Sequence, residues 1–307
     1  MTASLSVLVP VAITDAMFDS STAPENDYAA WSSATTYAVG DRAISTGTHR
    51  IYESLAAGNL NHDPTDIDNR VGSAPWWLDY APTNKWAMLD GEVASATTIA
   101  SPLTVVMTPG FFNGLYLGGL DAEQLDITVK DAPGGNTIYS YSGVLEGSMP
   151  ADWYEYFFDR FTPQTDFVAS GIDQYNDAQI TLSLSSASAP VACGMFQLGD
   201  LRPLGSTQRG AKAKPKTFSY IAINEFGENE IVRRKRAKDM SASAWLALDE
   251  ANAVLETIND LLDVPCVWIG TELPEYAGLR VFGLGSAEIS YDYPRDCKLS
   301  LDVKGLI

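Results

Sequence analysis

Apolar residues recur at every second position in short runs along much of this chain, and turn-forming residues separate the runs. That rhythm is the signature of β-strands with one face in a core and one in water. It is clearest in Leu125-Asp126-Ile127-Thr128-Val129 and Ile180-Thr181-Leu182-Ser183-Leu184. Between residues 92 and 200 it predicts strands at Thr104–Met107, Gly114–Leu120, Leu125–Val129, Thr137–Tyr141, Tyr154–Phe161, Asp166–Ile172, Gln179–Leu184 and Ala192–Leu198. Seven or eight strands at such spacing predict an antiparallel β-sandwich. The apolar start, MTASLSVLVPVAITDAMF, reads as a strand that packs on the chain's own fold, without the positively charged leader of a signal peptide. A polar break at residues 20–27 follows it.

The last third has a different rhythm. Residues 216–223 and 230–234 predict two strands around a glycine-containing turn, the second strand being basic. From Ser241 to Asp263, Trp245, Leu248, Leu255, Ile258 and Leu262 fall on one helical stripe, and Pro265 ends the element. Four strands are predicted beyond it, at 267–269, 279–283, 286–291 and 298–303. The fold class is therefore mainly β, in four parts. These are an N-terminal strand or arm (1–27), a small aromatic β module (28–91), an antiparallel β-sandwich (92–200) and a C-terminal α+β unit (201–307) in which one amphipathic helix lies on a sheet.

The aromatic module draws attention because large side chains crowd around its turns. Trp31, Tyr37, Tyr52, Trp76, Trp77 and Trp86 lie within 56 positions of a chain that has seven tryptophans. Such density fills a very small core or builds a flat surface that stacks on a ligand, and core is the more frequent use of any single one. Trp31, Tyr37, Tyr52, Trp76 and Trp77 are the candidate carbohydrate platform.

Charge divides the chain. Through Leu201 there are 24 acidic and 6 basic residues, a net of −18; from Arg202 onward there are 15 and 14, a net of −1. Half of the basic residues fall between Arg202 and Lys238, with Arg233, Arg234, Lys235, Arg236 and Lys238 at the densest point. An acidic body repels phosphate, so the sequence argues against nucleic acid and for an acidic protein surface as the partner, with these five residues as candidate interface; a solvated strand face is the alternative. The apolar runs are too short for membrane insertion. Cys193, Cys266 and Cys297 are far apart and lack a C-x2-C pair, which argues for buried free thiols over a zinc site or disulfide framework.

Two resemblances follow from the motifs. The order Trp31-x5-Tyr37-x2-Gly40-Asp41, then Tyr52, then Pro75-Trp76-Trp77, resembles small chitin- and cellulose-binding modules, versions of which occur in tail proteins of long-tailed bacteriophages. The segments "TNKWAMLDG", "LLDVPCVWIG", "LRVFGLGSAEISY" and "CKLSLDVKGLI", together with the run Val232-Arg233-Arg234-Lys235, resemble tail-tip and baseplate proteins of such phages. The resemblance implies a structural virion protein, assembled in a bacterial cytoplasm, that forms an oligomeric ring or collar and links the tail to receptor-binding fibres or spikes. Its implied partners are other copies of itself, other tail proteins and host-surface glycan.

Enzyme signatures are missing: the sequence holds no G-x-S-x-G elbow, no H-E-x-x-H and no P-loop. Asp63, Asp66 and Asp68 beside His62 have the oxygen ligands of a calcium loop but neither its glycine nor its distal glutamate, and read as a solvated turn. Asp152, Glu155 and Asp159 lie among aromatics where a carboxylate pair would be sought; edge-of-sheet packing is the reading preferred. The expectation is a non-enzyme with no metal or cofactor. The alternative is a carbohydrate-binding protein, or the binding arm of a polysaccharide-degrading enzyme.

Overall fold

The computed structural model describes residues 4–93, 95–145, 152–158, 163–187, 189–223, 227–291 and 293–306. The protein is mainly β, built from antiparallel sheets with a helix near the C-terminal end. Two of the sheets make a sandwich. A five-stranded sheet runs in the order 137–144, 124–130, 179–185, 103–107, 18–21. Its inward residues, among them Leu125, Ile127, Ile180, Leu182, Leu103 and Val105, share one core with Leu115, Leu117, Phe167, Phe196 and Leu198 of a larger sheet. Strict alternation in 124–130 and 179–185 gives each strand one buried and one wetter face.

The larger sheet has nine strands, in the order 166–169, 114–118, 195–207, 4–10, 266–269, 280–290, 296–305, 236–247, 212–217. It also closes on itself. Ser206 and Thr207 of the strand Met195–Thr207 pair with Trp245 and Ala244 of Arg236–Ala247. The six strands 195–207, 4–10, 266–269, 280–290, 296–305 and 236–247 are each antiparallel to the next, so the pairing forms a complete ring, a small barrel without a free edge among those six. Its interior is filled by alternate residues of every wall, including Leu5, Val7, Leu204, Trp268, Leu299 and Leu301. The helix Ala251–Asp260 adds Ala251, Val254 and Ile258 to that core.

Met195–Thr207 therefore belongs to both halves. Its first residues pair with Gly114–Gly118 in the sandwich, and its later ones pair with Ser4–Pro10 and Arg236–Ala247 in the barrel. The division expected between residues 200 and 201 falls inside this strand, and the N-terminal strand is a barrel wall rather than a separate arm.

Several sequence expectations are corrected. The helix predicted from Ser241 to Asp263 is half strand: Arg236–Ala247 is extended, because Met240, Ala242, Ala244 and Leu246 all face the barrel core at period two. Only Ile258 of the predicted stripe is buried; Trp245, Leu248, Leu255 and Leu262 are exposed. The strand expected at 154–161 is a short helix over Trp153–Phe158, with residues 159–161 outside the described part. The two strands expected at 279–283 and 286–291 are one, Arg280–Ser290.

Gly285 is what lets that strand run through. A Cβ at this position would overlap the ring of Trp268 on the neighbouring wall, so only glycine accommodates the buried indole. Trp268 is fully buried, and its Nε1 donates to Gly283 O at 3.0 Å.

Candidate functional site

The aromatic module is a three-stranded sheet of Arg42–Ser45, Arg50–Ser54 and Trp77–Pro82, with a two-residue pairing of Thr36–Tyr37 and Asn59–Leu60 beside it. Tyr37, Tyr52 and Trp77 are buried in its centre with Ala43. Tyr37 meets Trp77 edge to face, ring centroids 5.0 Å apart, and Trp77 Nε1 donates to His62 O at 2.8 Å. Three of the five candidate platform residues are thus core and have no face to offer a sugar. Trp31 and Trp76 are partly buried against that core. One face of Trp76 is taken by His62, stacked at 3.8 Å.

The aromatics this module does expose are others. Tyr28 and Tyr80 are both exposed, with the Arg42 guanidinium beside them, its Cζ 3.7 Å from the Tyr80 ring centroid. Arg42 Nη1 donates to Tyr28 Oη at 3.1 Å, and Nη2 forms an ion pair with Glu53 at 2.7 Å. The alternation of Trp77–Pro82, in which Trp77 faces the core and Leu78 and Tyr80 face outward, is the signal in the sequence for Tyr80.

The acidic turn after His62 serves local structure. Asp63 accepts from the Thr65 backbone N–H at 2.8 Å, and Asp66 accepts from the Asp68 N–H at 3.1 Å. Among the described residues no group of three or more His, Cys, Asp or Glu side chains is placed to hold a metal ion. Asp152 is exposed, and Asp159 lies outside the described residues. The three cysteines are free and buried.

The basic segment follows a two-stranded ribbon. Beyond the edge strand Lys212–Thr217, the chain continues as Tyr220–Ile223 and returns as Asn229–Val232, the two pairing, among the described residues, only with each other. Ile221 faces Ile231 across the pair, and Ile223 faces Asn229, so the three isoleucines share one face. They are 66, 73 and 67% exposed for Ile221, Ile223 and Ile231. On the other face Arg234 lies over the Tyr220 ring at 4.9 Å. Arg233, Arg234, Lys235 and Arg236 are exposed at the base of the ribbon, as an interface would require. Lys238 differs from them: it is half-buried, its Nζ donating to Ala277 O at 3.3 Å, and it lines a partly open pocket. The apolar face was missed from the sequence because the isoleucines are neighbours in a charged stretch, and alternation alone does not say which face of a ribbon remains uncovered.

None of the protein-family models, curated proteins or solved structures compared with the chain matches it.

Proposed function

We propose that the protein is a structural subunit of a bacteriophage tail tip or baseplate, that it works through interfaces rather than catalysis, and that its ribbon of Tyr220–Ile223 and Asn229–Val232 is an assembly element. The observation that carries the reading is the three-isoleucine face. A two-stranded ribbon is marginal by itself in water, and apolar face plus basic base gain stability when a partner covers them. The sequence resemblance supplies the setting, virion assembly in a bacterial cytoplasm. The acidic body, net −18 through Leu201, supplies a partner of opposite charge on the next copy. A ring repeats one heterologous contact around an axis, and each subunit then needs two different complementary surfaces, here ribbon and acidic body.

Light scattering after size exclusion tests it across salt concentrations. The wild type is expected to form a closed oligomer, or to join one when tail-tip proteins are added. Ile221→Asp with Ile231→Asp should abolish association while leaving the melting temperature within a few degrees, since neither side chain packs on the body. Reversing Arg233, Arg234 and Arg236 to Glu should weaken assembly and flatten its salt dependence. A wild-type protein that stays monomeric and enters no assembly would sink the proposal.

The second reading, a carbohydrate-binding protein or module, now rests on Tyr28, Arg42 and Tyr80 rather than on the five residues first singled out. Retardation on a chitin or cellulose column, lost in Tyr80→Ala, is the result that would favour it.

A further inference from the structure

Where the sandwich meets the barrel, a cavity of about 310 Å³ lies between the strand Gly114–Gly118, the beginning of Arg280–Ser290 and the beginning of Arg236–Ala247. Its walls are of two kinds. Met195, Phe282 and Leu306 make an apolar side; Arg280, Lys238 and Tyr116 make a polar one. Glycines at 118, 119 and 194 line the remainder, and the first is required there: a Cβ on Gly118 would stand 2.8 Å from Tyr116 Cε1.

The charges do not balance. The Arg280 side chain is only 3% exposed; its Nη1 donates to Asp166 Oδ2 at 3.1 Å and its Nη2 to Glu272 O at 2.8 Å. The third donor, Nε, is buried with no hydrogen-bond partner. Lys238 stands close enough to feel both Asp166 and Arg280, and burial pulls its ammonium below the usual lysine range. Two cations thus face one carboxylate in a partly desolvated space, with the exposed Arg236 at the margin. Positive charge in excess of its one carboxylate is costly to bury, and an anion placed beside Lys238 and Arg280 relieves it.

We propose that this cavity is a binding site for a small organic carboxylate carrying a compact apolar group. The carboxylate would accept from Lys238 Nζ beside the Arg280 guanidinium, and the apolar group would lie against Met195, Phe282 and Leu306. The volume is at the lower end of small-molecule pockets and suits a benzoate-sized acid. Inorganic phosphate or sulfate meets the cations but leaves the apolar wall wet. A free acid, or a carboxylate borne on a neighbouring copy, presents this chemistry.

Calorimetric titration of the full chain with benzoate tests the site, with benzyl alcohol and sulfate as comparisons. One benzoate per chain is expected, bound at least about tenfold more tightly than either comparison. Lys238→Met keeps the stem and removes the charge, and should weaken benzoate at least about tenfold without lowering the melting temperature. Leu306→Trp fills the apolar side and should abolish binding with the cations intact. Displacement of assembled copies by benzoate would identify a neighbour's carboxylate as the occupant; unchanged mass would identify a free acid. Absence of saturable benzoate binding, equal binding of benzyl alcohol, or wild-type affinity in both variants would overturn the proposal. The titrations and the two variants read the site whether or not the ribbon drives assembly.

Discussion

Gly285 and Cys193 show how single positions carry the interior. Gly285→Ala forces a methyl into the Trp268 ring and is expected to cost about 1–3 kcal/mol in urea unfolding, the usual size of overpacking. Gly47→Ala, where a Cβ meets nothing nearer than Ser45 Oγ at 4.0 Å, should stay within about 0.5 kcal/mol. Burial pushes the Cys193 thiol from 9.0 up to about 12. The raised value means the unfolded chain releases this proton first, so the stability it contributes is complete below about pH 9 and is lost as pH climbs toward 12. Between pH 10 and 11 the wild type should lose on the order of 1 kcal/mol per pH unit through this group. Cys193→Ala should remove that component, seen as a shallower decline in unfolding free energy over the same range. Burial also pushes the Cys266 thiol up to about 12, in the same sense.

At the level of elements, the helix Ala251–Asp260 separates what was readable from what was not. A helix before Pro265 was legible from its apolar content and its stop signal. Its start and its buried face were not, because Trp245, Leu248, Leu255 and Leu262 fit a helical stripe while the small residues Ala242 and Ala244 gave the competing two-residue period little weight. The assignment is checked by paired substitutions. Ile258→Ala, in the barrel core, should cost about 2–4 kcal/mol, and Leu255→Ala, on the exposed side, under about 1 kcal/mol. The aromatic module divides similarly. Trp77→Ala removes a fully buried indole and should unfold the module, at a cost of about 3–5 kcal/mol, measurable by loss of near-ultraviolet dichroism. Aromatic density marked these residues as important; only the alternation of Trp77–Pro82 decides which of them meets solvent. In the ribbon, the basic residues stood out at once, whereas the isoleucine face depends on the pairing of Ile221 with Ile231.

For the whole molecule, strand content and the sandwich were legible because each strand advertises itself locally. The barrel was not. Its closure depends on Ser206 finding Trp245 and on Ser4–Pro10 lying between Met195–Thr207 and Cys266–Ile269, and no local pattern encodes a pairing between distant segments. Sharing Met195–Thr207 makes sandwich and barrel one cooperative structure. A fragment of residues 201–307 lacks the strand Ser4–Pro10 and the first part of 195–207, leaving the barrel open with two unsatisfied edges. It is expected to show neither a cooperative thermal transition nor the blue-shifted fluorescence of a buried Trp268, and supplying residues 1–200 in trans should restore both. A fragment that melts cooperatively alone would mean the C-terminal part is an independent domain.

The position of Ser4–Pro10 also sets a timetable for synthesis. Pro10 pairs with Gly199, so the strand leaves the ribosome roughly 190 residues ahead of its first neighbour, and further ahead of the second. At translation rates of about 5–20 residues per second it stays unpaired for on the order of ten to forty seconds. For that interval SLSVLV is a short, uncharged, β-prone peptide in a crowded cell, the kind of segment that chaperones hold and that aggregates when they do not. Yield in a host producing this protein quickly should therefore be limited by protection of its first ten residues more than by the stability of the finished barrel.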